Sequence, residues 1–97
     1  NYEFLARKMK KTLSIVIPAY NESERLGASI QEILEYIRST KLNAELIVVD
    51  DGSKDKTAEI AKNICQKYQD VETKVIRYEE NRGKGFAVKT GLLAAQA

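Results

Sequence analysis

The chain has 97 residues, of which 43% are hydrophobic and 31% charged, and its formal net charge is +2. These values are ordinary for one globular domain, and the charge is too small to predict a nucleic-acid partner. The absence of histidine and the single cysteine, Cys65, exclude an internal disulfide, a His/Cys zinc site and histidine base catalysis. A single cysteine fits a reducing, cytoplasmic setting. Cys65 itself is expected to be a small buried apolar residue.

Residues 1–12 are predicted to form a basic lead-in before the first strand. We expect Arg7, Lys8, Lys10 and Lys11 to be solvated, with contact to an anionic membrane surface as the alternative. No apolar run approaches the roughly 18–20 residues that span a bilayer, and no signal-peptide pattern is present. The chain begins without methionine and stops within a predicted helix, so we expect it to be a piece of a longer protein.

The first apolar run, LSIVIP at residues 13–18, predicts a buried strand that Pro18 ends, because proline cannot donate to a continuing strand pair. The next segment predicts a helix that Asn21 caps, with Glu24 reaching back to complete a capping box. Apolar residues recur along this helix at helical spacing, so one face should pack against the sheet. They are Leu26, Ile30, Ile33, Leu34 and Ile37.

The second unit begins with a predicted strand at residues 45–50, ELIVVD. The polar turn after this strand predicts a helix whose N-terminal cap is Ser53 or Asp55. Five residues are expected on the inner face of this helix, at helical spacing. They are Ala58, Ala61, Ile64, Cys65 and Tyr68.

The third unit is a predicted strand at residues 73–78 and a helix that begins at Lys84 or Gly85 and runs to the end of the chain. The order β-α-β-α-β-α with short connections predicts an α/β fold, a Rossmann-like three-layer α/β/α arrangement with a parallel sheet. Ligands bind such sheets outside the carboxyl ends of the strands. The segments PAYNE, DDGS and ENRGKG, each located after one of the three strands, are therefore expected to meet at one edge.

Asp50 and Asp51 come after the apolar residues of the second strand, with no basic residue beside them in the sequence. Side chains alternate along a strand, so the two carboxylates need not face each other, but each needs hydrogen bonds or a cation when buried. A carboxylate there can accept a hydrogen bond from a base imide or a ribose hydroxyl. Gly52 allows a tight exit that brings a ligand close to the backbone. A helix-capping acid beside an ordinary turn is the alternative.

The segment PAYNE offers groups that suit a nucleoside. The ring of Tyr20 can stack on a base, and backbone groups around Ala19 can contact base edges. Glu22 can accept a hydrogen bond from a ribose hydroxyl or stay in solvent near the start of the helix, where negative charge is favourable. A tyrosine that packs beside the sheet is the alternative for Tyr20.

The segment ENRGKG places Lys84 between two glycines at a predicted helix start. Backbone N–H groups and an ammonium at such a position suit a phosphate, and Arg82 can serve the same role. A plain loop that enters a helix explains the pattern equally well. The motif is not a P-loop, which requires G-x-x-x-x-G-K-[ST] after a strand.

The residues at the carboxyl ends of the first and third strands exclude two other classes of α/β protein. No G-x-G-x-x-G comes after the first strand, so a dinucleotide-binding oxidoreductase is unsupported. A phosphoacceptor receiver domain needs an aspartate at the end of the third strand, where this chain has Tyr78 and Glu79.

The segments IVIPAYNE, ELIVVDDGSKDKT and ENRGKGFAV, in this order, resemble the nucleotide-sugar-binding half of a family 2 glycosyltransferase of the GT-A fold. NRGKG with the long first helix is most similar to the dolichyl-phosphate or polyprenyl-phosphate β-glucosyltransferase branch. The resemblance covers residues 13–97. It implies the N-terminal half of a GT-A nucleotide-diphospho-sugar transferase fold, truncated before the D-x-D motif of the family.

The resemblance also implies which residues contact a nucleotide sugar. Pro18, Ala19 and Tyr20 would line the base pocket, with Glu22 near the ribose.

At the end of the second strand, Asp51 together with Asp50 would contact the base edge and the ribose, where Gly52 allows close approach. Lys84, with the backbone of residues 83–85, would lie near the sugar diphosphate.

The metal-binding D-x-D motif of the family does not occur in this chain. We therefore expect no bound metal, no catalytic residue and little or no turnover here, although the resemblance implies Mg²⁺ or Mn²⁺ for the whole parent. The parent is expected to be an inverting transferase that moves a hexose from a nucleotide diphosphate to a lipid phosphate or a similar acceptor. UDP-hexose is the favoured donor over GDP-hexose.

Two other functions are open on the sequence: a non-catalytic nucleotide-binding module, and a structural or assembly domain. An exposed sheet edge would also allow a homodimer. We expect no nucleic-acid partner, a cytoplasmic location, and peripheral membrane contact through the lipid acceptor.

Overall fold

The computed structural model describes residues 11–97, so the predictions for Arg7, Lys8 and Lys10 lie outside the described residues. Three strands alternate with three helices in the predicted order. The elements are β1 (Leu13–Ala19), α1 (Leu26–Thr40), β2 (Ala44–Asp51), α2 (Thr57–Gln66), β3 (Glu72–Tyr78) and α3 (Lys84–Ala94). Within residues 11–97, none of these helices combines the length and the apolar character needed to cross a membrane.

The strands of the described part form one parallel sheet in the order β1-β2-β3. The central strand, β2, is buried over its whole length because both faces are covered by helices and both edges are paired. The register pairs Ala19 with Asp50 and Asp51 with Tyr78. All three strands therefore end at the same edge of the sheet.

Helices cover both faces of the sheet, which confirms the predicted three-layer arrangement. Side chains alternate along β2, so Leu46 and Val48 pack with α1 and α2, whereas Ile47 and Val49 face α3. The close approach of α3 depends on Gly91, where a Cβ would lie 2.4 Å from a Val16 methyl group.

The predicted apolar face of α1 is confirmed, but its predicted start is wrong. Leu26, Ile30, Leu34 and Ile37 are buried, and Ile33 packs at the margin of the same cluster.

The helix begins at Leu26 rather than directly after Asn21, and no side chain caps it. Asn21 adopts a left-handed backbone with φ 51°, and its side-chain oxygen accepts the Lys54 N–H at 2.9 Å. The predicted capping box with Glu24 fails because the Asn21 side chain bonds to the β2–α2 turn instead.

Two predicted element ends also differ from the structure. Pro18 does not end β1, which continues to Ala19. The missing N–H of Pro18 is tolerated because β1 pairs on one side only within the described sheet.

The third helix ends at Ala94 rather than at the last residue, and Ala95 is extended. The backbone N–H of Gln96 donates to the buried Glu45 carboxylate at 2.6 Å, which holds the chain away from the helix axis.

The second helix matches its predicted inner face in part. Ala58, Ala61 and Cys65 are buried, as expected, and burial raises the pKa of the Cys65 thiol. Tyr68 is also buried, but it lies beyond the end of α2, and its hydroxyl donates to Glu35 at 2.7 Å.

The predicted N-terminal cap of α2 is wrong: Lys56 holds that position, and no side chain caps the helix from it. Asp55, one residue earlier, accepts the Thr57 N–H at 3.0 Å. Ser53 instead accepts the Asn21 N–H from the other loop.

Candidate functional site

A cleft of about 350 Å³ lies at the edge where the three strands end. One side, here called the first wall, is residues 18–22, and the opposite side, the second wall, is residues 81–84. Asp51 lies between the two walls at the end of β2. The lining residues are Pro18, Ala19, Tyr20, Glu22, Asp51, Asn81, Gly83 and Lys84. Six of the eight predicted site residues thus line one cleft, whereas Asp50 and Gly52 do not.

The first wall is bonded to the turn after β2. The backbone N–H of Asn21 donates to Ser53 Oγ at 2.8 Å, and the N–H of Glu22 donates to Thr57 Oγ1 at 2.9 Å. Ser53 and Thr57 are themselves buried. Because these hydrogen bonds join residues more than 30 positions apart, the tertiary fold holds this wall beside the end of β2.

Two side chains of the first wall remain available to a ligand. The ring of Tyr20 is 42% exposed although the tyrosine lies directly after the buried Ala19. Glu22 forms an exposed ion pair with Arg25, at 2.7 Å from its Nη2. An exposed pair of this kind contributes little to stability, so a ribose hydroxyl can compete for the Glu22 carboxylate.

The carboxylate of Asp51 accepts four hydrogen bonds, three from the second wall and one from β3. Its Oδ1 accepts the Tyr78 hydroxyl at 2.6 Å and the Arg82 N–H at 2.9 Å. Its Oδ2 accepts the Asn81 side-chain N–H at 2.9 Å and the Gly83 N–H at 3.0 Å. The Asn81 amide also donates to the backbone oxygen of Asp51 at 3.1 Å.

These contacts shift the pKa values of both partners. Burial alone would raise the pKa of Asp51, but hydrogen bonds from Tyr78, Arg82 and Gly83 outweigh it, so the pKa lies below its ordinary value. Burial, together with the hydrogen bond to Asp51, raises the pKa of Tyr78 to about 12. At neutral pH the pair is therefore an ionised carboxylate and a neutral phenol.

Asp50 points to the opposite face of the sheet and is fully buried. Its Oδ1 accepts the Ser53 N–H at 3.0 Å, and its Oδ2 lies 3.4 Å from Arg77 Nε. Arg77 also donates to the Ser53 backbone oxygen at 3.1 Å. No basic residue stands beside Asp50 in the sequence, but β3 supplies one through the strand register, and this ion pair explains how the charge is tolerated.

Gly52 is required by the close approach of the protein's own backbone. Its φ is +72°, and a Cβ there would lie 2.5 Å from the Asn81 backbone nitrogen. The close approach predicted for a ligand at this glycine is made instead by residues 79–81. Gly52 thereby allows the second wall to fold over the end of β2.

The second wall leads directly into α3. Gly83 has φ +95° and precedes Lys84, the first residue of the helix. Lys84 is exposed and lines the cleft. Arg82 instead lies over the Phe86 ring, with its guanidinium carbon 5.4 Å from the ring centroid.

The sequence patterns predict no role for Asn81 or Tyr78, although both bond to Asp51. The strand register pairs Tyr78 with Asp51, so a register deduced from the two strands was the signal that could have linked them.

A larger depression of about 510 Å³ runs along α2 and β3 around Cys65 and Thr73. The cleft at the strand ends is the better candidate site because ligands of parallel sheets bind there and because polar groups from three loops converge on it.

Within residues 11–97, no group of three or more His, Cys, Asp or Glu side chains is arranged to hold a metal ion. Two carboxylates line the cleft: Asp51 already accepts four hydrogen bonds, and Glu22 is paired with Arg25. This part of the chain therefore does not fit a metal site, and no step is assigned to a metal bound by its residues.

The sequence of this chain matches the family model of glycosyl transferase family 2 over residues 14–97. Two curated relatives are dolichyl-phosphate β-glucosyltransferases. The human protein is 43% identical over 91 residues, which is 89% of this chain and 28% of that protein. The Saccharomyces cerevisiae protein is 35% identical over 85 residues, 84% of this chain and 25% of its own length.

A solved structure has the same fold. It is a mannosyltransferase from Pyrobaculum calidifontis in complex with GDP-Man and Mn²⁺, with a TM-score of 0.71 and 26% sequence identity. The match covers 91% of this chain and 25% of the archaeal chain. The chain thus spans about a quarter of the length of the relatives that it matches. Since the family model covers nearly all of the described residues, the chain belongs to glycosyl transferase family 2.

Proposed function

We propose that the cleft binds the nucleotide part of a sugar nucleotide, and that the whole protein transfers a hexose from that donor to a polyprenyl phosphate such as dolichyl phosphate. The observation that supports the binding site most directly is the pairing of an exposed ring, Tyr20, with a lysine at a helix start, Lys84, across one cleft. A ring and an ammonium on opposite walls suit a ligand that has a flat base at one end and phosphates at the other.

Each wall takes one part of the ligand in this proposal. The Tyr20 ring stacks on the base, and the backbone of Pro18 and Ala19 contacts the base edge. Glu22 exchanges its exposed contact with Arg25 for a ribose hydroxyl.

The Lys84 ammonium and the Gly83 backbone lie against the diphosphate, where the start of α3 adds a favourable dipole. We assign no ligand contact to Asp50, because its carboxylate faces α1 and α2 and is paired with Arg77.

The donor is proposed to be UDP-glucose, on the strength of the glucosyltransferase names of the relatives. The archaeal structure contains GDP-Man, so GDP-mannose is the competing donor. Its Mn²⁺ supports the proposal that a divalent metal serves the whole protein, although none of residues 11–97 is assigned to it. We propose transfer at the cytoplasmic face of a membrane, where a lipid phosphate acceptor would be reached.

Calorimetric titration of the chain with UDP and with GDP tests the binding site. Replacing Tyr20 by alanine should weaken UDP binding about tenfold, because stacking on an aromatic ring contributes roughly 1–3 kcal/mol per base. Replacing Lys84 by alanine should weaken UDP binding and leave uridine binding unchanged. Tyr36→Ala, on the exposed side of α1, and Lys89→Ala, on α3, are matched controls that should change neither.

Absence of binding heat at millimolar UDP and GDP would contradict the nucleotide site and favour the structural or assembly role. Size-exclusion chromatography of the same samples tests the separate prediction of a homodimer through a sheet edge.

Transfer itself is tested with the full-length parent, radiolabelled UDP-glucose and dolichyl phosphate in the presence of Mg²⁺ or Mn²⁺. We expect turnover by the full-length protein and none by residues 1–97 alone. Glucose transfer by the 97-residue chain would overturn the proposal that its residues bind the donor without catalysing transfer.

A further inference from the structure

The outer edge of β3 is unpaired within residues 11–97. β3 pairs with β2 on one side only, so alternate N–H and C=O groups on its other side are directed away from the sheet. The depression of about 510 Å³ along α2 lies beside this edge. Among the residues that line it are Cys65, Val71, Thr73 and Val75. A strand edge next to a groove can pair with a further strand, whose side chains then enter the groove.

The outer edge of β1 is less suited to a strand from another molecule. Pro18 has no N–H to donate to a new strand pair. The N–H of Ala97 donates to Ser14 Oγ at 3.2 Å, so the chain already lies beside the start of β1. In contrast, β3 has seven residues, none of which is proline or glycine. We therefore take the edge of β3 as the candidate docking surface.

The side chains of β3 are complementary to a second copy of the same strand. Glu72 and Lys74 are two positions apart, so they lie on one face of the sheet. If two β3 strands pair antiparallel with Thr73 opposite Thr73, each Glu72 lies opposite a Lys74. On the other face, where the groove lies, each Val75 lies opposite a Val71. Sliding one strand by two positions in either direction places Glu72 opposite Glu72 or Lys74 opposite Lys74, which is unfavourable.

Both charged side chains can accept this new partner while they keep their present contacts. The Lys74 ammonium has three donors, and it contacts the Glu45 carboxylate at 3.2 Å and the Ala94 oxygen at 2.9 Å. Glu72 is exposed and lies 3.4 Å from the Lys11 ammonium. Charges on an edge strand often prevent pairing, but here the two signs compensate each other between copies.

We propose that β3 is a homodimer interface, in which two copies of this chain pair their β3 strands antiparallel about a two-fold axis at Thr73. The pairing joins two three-stranded sheets into one, and each copy presents the same surface to the other. Val71 and Val75 of each copy extend the apolar lining of the groove of the other. Residues 71–75 do not line the cleft, so this inference is independent of the proposed nucleotide site.

Size-exclusion chromatography with light scattering tests the interface. At chain concentrations up to about 1 mM, we expect the mass to rise from that of one chain toward that of two. Glu72→Lys places like charges opposite each other twice in the dimer, so it should raise the dissociation constant about tenfold or more. Glu79→Lys is the matched control, because it makes the same charge change at an exposed residue directly after β3. A monomer at every concentration, or equal effects of the two substitutions, would overturn the proposal.

A substitution on β1 separates the two edges of the sheet. Leu13, at the start of β1, is 43% exposed, so Leu13→Lys should be tolerated by the fold. We expect it to leave the dissociation constant of the dimer unchanged. A dimer that Leu13→Lys weakens and Glu72→Lys does not would place the interface at β1 and contradict the proposal.

Cysteine cross-linking tests the register, with Cys65→Ala in both variants so that the introduced thiol is the only one. In Thr73→Cys the two thiols lie opposite each other, where paired Cα atoms are about 4.5–5.5 Å apart, within the range of a disulfide. In Val75→Cys they lie four positions apart, about 13 Å along the strands, which is too far. After mild oxidation with glutathione disulfide we expect a linked dimer of Thr73→Cys alone. No linked Thr73→Cys dimer, or equal linking of Val75→Cys, would show that the proposed pairing is wrong.

Discussion

Buried carboxylates lie near both ends of β2, and two of them, Asp51 and Glu45, are stabilised differently. At the carboxyl end, Asp51 is 3% exposed and accepts four hydrogen bonds from uncharged donors. At the other end, Glu45 is fully buried and lies 3.2 Å from the Lys74 ammonium. Its other oxygen accepts Ser14 Oγ at 2.7 Å and the Gln96 N–H at 2.6 Å. In both cases burial would raise the pKa, and the polar contacts lower it.

The difference fits the place of each carboxylate in the molecule. Lys74 joins Glu45 and also donates to the Ala94 backbone oxygen at 2.9 Å, so the cation ties the end of α3 to the sheet. Near the cleft, the partners of Asp51 are neutral, and the Lys84 side chain lines the cleft. Glu45 is therefore paired with a cation that also bonds the end of α3. Asp51 bonds a loop through neutral donors, and Lys84 stays free of it on the cleft wall.

The largest effect is expected from filling the space between Gly52 and the second wall. Gly52→Ala requires φ +72° of a residue with a Cβ that would lie 2.5 Å from backbone, so the free energy of unfolding should fall by about 3 kcal/mol. Urea denaturation measures this change. Gly85→Ala is the control: a Cβ there meets no atom within 4 Å, so stability should be unchanged or rise by up to about 1 kcal/mol. Equal effects of the two substitutions would show that the second wall does not pack against Gly52.

An intermediate effect on stability is expected when Lys74, the cation beside Glu45 near the start of β2, is replaced. Lys74→Met leaves the buried Glu45 without this partner, and unfolding free energy at pH 7 should fall by about 2 kcal/mol, less than for a fully buried pair because Lys74 is partly exposed. The pKa of Glu45 should then rise, so the loss should be smaller at pH 5, where protonation relieves the buried charge.

The double substitution Lys74→Met with Glu45→Gln should recover most of the stability at pH 7. Denaturant unfolding at both pH values measures these differences. A loss that is independent of pH would show that Lys74 contributes through packing and not through its charge.

The smallest effect on stability is expected from removing the hydroxyl of Tyr78, which bonds to Asp51. The pKa of Tyr78 is raised to about 12 from 10, so folding favours its neutral form. The stabilisation it contributes is present below pH 10 and is lost as the pH rises toward 12. Tyr78→Phe should lower unfolding free energy by about 1 kcal/mol at pH 7 and should remove this part of the alkaline loss.

Denaturant unfolding at pH 8 and at pH 11 measures the alkaline part, with Tyr36→Phe, at an exposed tyrosine of α1, as the control. An identical alkaline loss in Tyr78→Phe and in the unsubstituted chain would contradict the role of this phenol.

The element order could be predicted because it rests on local patterns. The apolar runs of the strands and the helical spacing from Leu26 to Ile37 each lie within a few turns of chain, and both match the structure. The convergence of the three loops was also predictable from the sequence, because parallel strands joined by helices end at one edge. The sequence therefore predicts that Tyr20 and Lys84 lie at one edge, and both line the cleft.

The helix ends were predicted less well because distant residues compete for the capping groups. Asn21 bonds to Lys54 instead of its own helix, and Gln96 leaves the helical path to bond to Glu45. A local capping pattern cannot report such partners, since they lie 33 and 51 positions away.

Periodicity and chain order were enough to establish the fold class, the family pattern and the edge at which the site lies. Only the tertiary structure decides which partners the adjacent acids have. Asp50 is paired with Arg77 on one face of the sheet, and Asp51 is bonded to Tyr78 and the second wall on the other. The physical reason is that a buried carboxylate needs hydrogen-bond donors or a cation to offset its lost hydration. Here β3 and the loop after it supply them, and the strand register decides which donors reach which acid.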